Sequence, residues 1–362
     1  MKISGEQKGL MHKEDMFPLF FEDCVLIEEQ IYFVGYHIAA LFSMNLYTGE
    51  LKYIDRIPNE MIAQTHLVSR ILSYENYLIL IPARTTNNCI WLYDLEKEIW
   101  DYILFEDKGI KAPYEQFEYA IVYKDELFVV GCYYPAIVCI DLKNKKQTYY
   151  EIFKNDFQLH SLGTCVNKEN QLYIPSPTSN RVIIFDMQSK QYKLLSIGNE
   201  NNSYSGIVKS GEALWLSPMK NTALVKWDGM DGIIEYELPV EFQNEHDYIF
   251  NGITLHENSI YVYGLKGKLS FCFLSGQYKK YEIIEDSYLM FKELNEDYLI
   301  TCNYSGKIQV ISEEDEKEYR HFFPETETAQ IMQVWKKELQ QVENIKLSED
   351  DFLTLDRFLA IL

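Results

Sequence analysis

Residues 213–239 read ALWLSPMKNTALVKWDGMDGIIEYELP. An apolar strand from Leu214 to Pro218 is followed by the polar turn Met219–Thr222. A second strand, ALVKW, runs into the turn at Asp228–Gly229, and an aromatic-bearing strand closes the unit at Pro239. Immediately upstream, GIVKSGE (206–212) supplies one more strand. Short strands joined by tight polar turns pair as antiparallel neighbours, so this stretch predicts a four-stranded sheet.

The same order of strand, turn, strand, turn and aromatic strand recurs six more times. It begins at Ile31 (IYFVGYHIAALFSMNLYTGELKYIDRIP), Tyr77, Leu127, Leu172, Ile260 and Tyr298. Further strands precede several of these, as in SRILSYEN, FEYAIVYKDE and NGITLHEN. The residue closing the middle strand is read as Asn45, Asp94, Asp141, Asp186, Asp228, Leu274 and Ser312, at spacings of 49, 47, 45, 42, 46 and 38. A short carboxylate or amide there has a local reason, since it can accept N–H groups of the following turn. One such sheet cannot bury both faces alone, and a period near 45 is that of a propeller blade. The fold expected is an all-β, seven-bladed β-propeller of four-stranded antiparallel blades, with a short C-terminal helical appendix.

The repeats resemble the WD-repeat, kelch and streptogramin-lyase group of propellers. Residues 213–239 are similar to the streptogramin-lyase type in the LW opening, the D-G turn and the closing EYELP, and blade 1 has a related NLYTGELKYIDRIP. The resemblance implies the fold and is one of repeat logic. There is no GH…WD pair, no double-glycine kelch signature and no SxDxGxxW box, and the lyases' catalytic histidine and glutamate have no assignable counterpart. Activity does not follow from fold.

The chain divides into a lead-in (1–16), the propeller (17–325) and the appendix (326–362). In the appendix, TETAQIMQVWKKELQQV places Ile331, Val334, Trp335 and Leu339 at helical spacing. A second helix opens at Ser348, with Asp351 three residues on. It carries the apolar stripe Phe352, Leu355, Phe358, Leu359 and Leu362, a candidate surface for docking on a partner or a second copy.

A formal charge of −21 over 362 residues argues against nucleic acid and anionic membranes as partners. The 47% hydrophobic and 25% charged residues are ordinary globular values, and 28 Tyr and 20 Phe favour strands. No export signal is visible in the first fifteen residues. Seven scattered cysteines without a CxxC suit buried thiols, so a cytoplasmic protein is expected.

No HExxH, GxSxG, P-loop, GxGxxG or EF-hand motif is present, and no cofactor or metal is called for. Function is therefore expected at the channel mouth, where the loops entering each innermost strand meet the loops between second and third strands. Tyr114, Phe157, Tyr204, Tyr248 and Tyr288 open five innermost strands, near His66, Arg70, Glu115, Glu118, His160, Asp247 and Asn251. Such aromatics either line a pocket or pack between blades. Arg84, Arg181, Lys220, Lys266, Lys268 and Lys307 put bases in the second loop set, a level suited to an anion. The function expected is non-enzymatic binding or scaffolding, with a protein, peptide or acidic small molecule held at the mouth. The alternative is a lyase or hydrolase acting on a glycan or cyclic ester through His66, His160, Glu118 and Asp247. The two differ in one respect: an enzyme brings histidine and carboxylate together with perturbed pKa values.

Overall fold

The computed structural model describes residues 19–61, 64–85, 87–110, 114–152, 165–219, 223–243, 250–264, 267–283, 288–312 and 315–320. Its strands form seven four-stranded antiparallel sheets, each built from four consecutive strands. Blade 1 comprises Cys24–Ile27, Gln30–Val34, Ala40–Asn45 and Leu51–Arg56. Blades 2 to 7 span 68–104, 117–150, 166–196, 204–237, 252–283 and 288–320. The first strand of each blade lies nearest the channel and the fourth at the periphery. The chain is thus a seven-bladed β-propeller; the expected C-terminal helices lie outside the described residues.

Period-two alternation holds the ring together, because both faces of each inner strand are buried. In blade 2, Leu78 and Leu80 pack with Trp91 against blade 1, while Ile79 and Ile81 pack against blade 3. Leu127 and Val129 of blade 3 face blade 2, and Phe128 and Val130 face blade 4. Each blade-to-blade junction has its own apolar cluster of this kind. Burying one such Leu, Ile or Phe contributes about 1.5–3 kcal/mol.

Among the described residues, each blade is built from four consecutive strands, with none exchanged between the chain's two ends. Blade 7 meets blade 1 through a core in which Phe21 stacks on Phe33 at 4.0 Å, beside Met290, Ile300 and Ile308. Two polar ties reinforce it: Lys292 to Asp23, and the Tyr319 hydroxyl to the Tyr47 carbonyl at 3.2 Å.

The turns follow the expected chemistry. Asn45, Asp94, Asp141 and Asp186 each accept the backbone N–H groups two and three residues on. The residue four positions on is left-handed in each case: Gly49, Glu98, Lys145 and Lys190. In blade 6 the third strand is Gly267–Cys272, so Cys272, not Leu274, holds this turn position, and Gly276 is its left-handed residue. The apolar text around Phe273–Leu274 hid that register; with Cys272 in place the last two spacings become 44 and 40.

Candidate functional site

The two loop sets expected at the mouth are knitted together by backbone hydrogen bonds. Phe20 O accepts from Tyr36 N–H, Tyr36 O from His66 N–H at 2.6 Å, and His66 O from Arg84 N–H. Ala83 O then accepts from Gln116 N–H, and Gln116 O from Cys132 N–H. Each bond joins a residue entering a first strand to one leaving a second strand. Blades 1, 2 and 3 thereby present Tyr36, His66, Arg84, Glu115 and Cys132 at one level.

His66 is the centre of this level. Its backbone is left-handed, at φ +50°, which costs on the order of 1 kcal/mol for a bulky residue. The flanking bonds to Tyr36 and Arg84 hold it there. The imidazole is buried, stacked on Tyr36 at 5.0 Å and 16°, with Tyr304 edge-on to Tyr36. Nε2 is paired with Glu22, and Nδ1 lies 3.2 Å from Glu115 Oε1. Burial opposes the imidazolium, but Glu22 and Glu115 outweigh it and raise the pKa to about 10. Arg84 Nη2 is also 3.2 Å from Glu115 Oε1. Burial works to raise the Glu115 pKa, yet His66 and Arg84 hold it below the usual carboxylate range. Neighbouring His37 is pushed the other way, down to about 3, by burial and by the His66 charge.

First strands run from the mouth inward, so the residues following Glu22, His66 and Glu115 form a deeper level. It contains Asp23, Arg70, Glu118, Tyr119, Tyr263 and Lys292. Asp23 Oδ1 pairs with Lys292 and its Oδ2 accepts Ile71 N–H. The Arg70 guanidinium lies 5.8 Å from the centre of the Tyr119 ring. Glu118 is buried at 6% exposure. Burial, together with the Glu22 and Glu115 charges, raises its pKa well above the ordinary carboxylate value against the pull of Arg70. Two neighbouring carboxyls are thus displaced in opposite directions.

Glu115, Glu118 and Cys132 bring one donor atom each within 4.8 Å of one another. Three such atoms are enough to begin a metal site. His66, Arg70 and Arg84 surround them with positive charge, which works against a divalent cation here.

Of the residues expected at the mouth, the structure brings His66, Arg70, Arg84 and Glu118 together. Tyr114 is on the rim, 53% exposed, with its ring 4.7 Å from that of Tyr133. Tyr204 instead fills the junction of blades 4 and 5, its hydroxyl donating to Ile197 O at 2.7 Å. Lys307 pairs with Glu318 at 3.0 Å, and Lys268 lies over Phe291 at 5.3 Å. Arg181 opens the third strand of blade 4, half-buried. Tyr288 opens the first strand of blade 7. His160, Asp247, Phe157, Tyr248, Lys220 and the tail residues Phe352, Leu355, Phe358, Leu359 and Leu362 lie outside the described residues.

Sequence reasoning missed Glu22, Asp23, Tyr36, Cys132, Tyr263 and Tyr304. A usable signal existed for three of them. Tyr36, Arg84, Cys132 and Tyr304 occupy corresponding places, just after the second strand of their blades.

No protein-family model matches the sequence, and no curated protein does. Among solved structures, the chain is similar to a catalytically inactive virginiamycin B lyase from Staphylococcus aureus solved with quinupristin. The TM-score is 0.65 at 12% identity, over 83% of this chain and 97% of the lyase. A streptogramin B lyase structure aligns with a TM-score of 0.59 at 11% identity, over 86% and 95% of the two chains. BamB from Moraxella catarrhalis gives 0.53 at 12% identity, over 80% and 83%. At these identities the likeness is one of fold, shared by an enzyme and by BamB alike.

Proposed function

We propose that this propeller is a cytoplasmic binding protein that holds an acidic small molecule or peptide at its channel mouth. The observation that carries the reading is the clamping of His66 between Glu22 and Glu115. Histidine and carboxylate do converge, as an enzyme requires. With a pKa near 10, however, this imidazole is already protonated at neutral pH, and so is not poised as a general base. It serves better as a fixed positive charge beside Arg84, walled by Tyr36 and Tyr304, which suits recognition of an anion. Seven free, buried thiols support a reducing compartment.

Thermal melting of the full chain against a panel of organic acids and acidic peptides tests this. A bound ligand raises the midpoint, and Arg84→Gln removes the rise. A panel without effect, or one acting equally on Arg84→Gln, rejects the reading.

A second reading has one observation behind it. Burial and the Glu22 and Glu115 charges raise the Glu118 pKa well above the ordinary carboxylate value, the direction a general acid needs. On that reading the protein is a lyase or hydrolase acting on a glycan or cyclic ester. Recovery of a panel compound chemically altered, with turnover lost in Glu118→Gln but binding kept, selects it.

The tail, expected from its sequence to be helical and outside the described residues, is a proposed docking element. Its role predicts that a chain stopped after Glu325 loses a protein partner or self-association while keeping the mouth's ligand.

A further inference from the structure

At the deeper level of the channel, Arg70 lies over the Tyr119 ring. Arg70 makes no hydrogen bond and no ion pair among the described residues. The carboxylates that act on it most are Asp23 and Glu118. Asp23 is already committed to Lys292 and to Ile71 N–H. Glu118 makes no hydrogen bond among the described residues, and burial with the Glu22 and Glu115 charges raises its pKa. Arg70 thus keeps its N–H donors uncommitted among the described residues, on a guanidinium beside Tyr119. A planar fork of N–H donors in such a place matches a carboxylate.

We infer that Arg70 anchors the carboxylate end of a ligand that enters through the mouth, whether that carboxylate belongs to a small acid or to a peptide C-terminus. The inference rests on the mouth being the binding face and adds the group that fixes the ligand's inner end. The rival occupant is a divalent metal on Glu115, Glu118 and Cys132.

The test is calorimetric titration of the full chain with succinate and with N-acetylglycine, each against its amide at constant ionic strength. The result expected is binding of at least one acid and neither amide, weakened about tenfold or more in Arg70→Gln and less in Arg70→Lys. Preference for succinate identifies a small diacid, and preference for N-acetylglycine a chain terminus; both support the anchor. If Arg70→Gln does not fold, Arg70→Lys carries the test, with a threefold or greater loss required. Acid binding untouched by either substitution, binding of the amides as tightly as the acids, or no binding of either acid overturns it. If Arg84→Gln abolishes acid binding while Arg70→Gln does not, the mouth reading stands and the Arg70 anchor falls.

Discussion

Lys292 Nζ lies 2.7 Å from Asp23 Oδ1, although 269 residues separate the two in sequence. The lysine also donates to Cys24 O at 2.6 Å, and the other Asp23 oxygen accepts Ile71 N–H. One carboxylate therefore ties blade 7 to the start of blade 1 and to blade 2. In a ring without strand exchange, this is where the ends are fastened. Asp23→Ala leaves a part-buried ammonium with the Cys24 carbonyl but no counter-charge, and the Ile71 N–H without its acceptor, at a cost of about 3 kcal/mol, read as the shift in urea unfolding. A change below 1 kcal/mol would show that the apolar junction alone closes the ring.

That junction makes its own prediction. Phe33 is buried and stacked between Phe21 and Phe42. Phe33→Ala costs about 3–5 kcal/mol, because the ring's contacts vanish and the blades cannot collapse into the space. Leu104→Ala, on the outermost strand of blade 2 and 58% exposed, costs less than about 0.5 kcal/mol. Equal effects from the two would contradict the assigned junction.

The His66 clamp sets a pH dependence. Its folded pKa, about 10, is raised above the ordinary value near 6.5, so its stabilisation is complete below about pH 6.5 and is lost as pH rises through about 10. Glu115 is displaced downward, so its contribution is present above the usual carboxylate range and is lost on acidification. Urea midpoints measured against pH fall on both sides of a neutral plateau. His66→Asn flattens the alkaline fall; a variant that retains it in full places the titrating group elsewhere.

Cys272 occupies the turn position that Asn or Asp holds in blades 1 to 5. Hydrogen bonds from the Ser275 hydroxyl and backbone N–H, then from Leu274 N–H and Lys279, hold its thiol down at about 7. Burial pushes Cys24, Cys89, Cys139 and Cys165 up instead. Brief alkylation at pH 7.5 followed by peptide mapping labels Cys272 first. Cys272→Asp keeps the turn, since the slot accepts a carboxylate in other blades, and leaves the melting midpoint unchanged or higher. A large drop would show that the slot is shaped for sulfur.

What residues determine locally was legible in the chain. Alternation along Leu78–Ile81 or Leu127–Val130 marks strands buried on both faces, and short polar side chains such as Asp94 and Asp141 mark the turns. Their recurrence sets blade size and number, because each such sheet needs a neighbour on either side. Where Cys272 replaced an acid, the local signal failed and the register was misread. Glu22, His66 and Glu115 each enter a different blade, and nothing in their own surroundings marks them as partners. Only closure of the ring, with its blade-to-blade backbone bonds at the mouth, brings them within reach. Their burial together then holds the His66 pKa up at about 10, because charge in a desolvated channel is set by neighbours in space and not by neighbours in sequence.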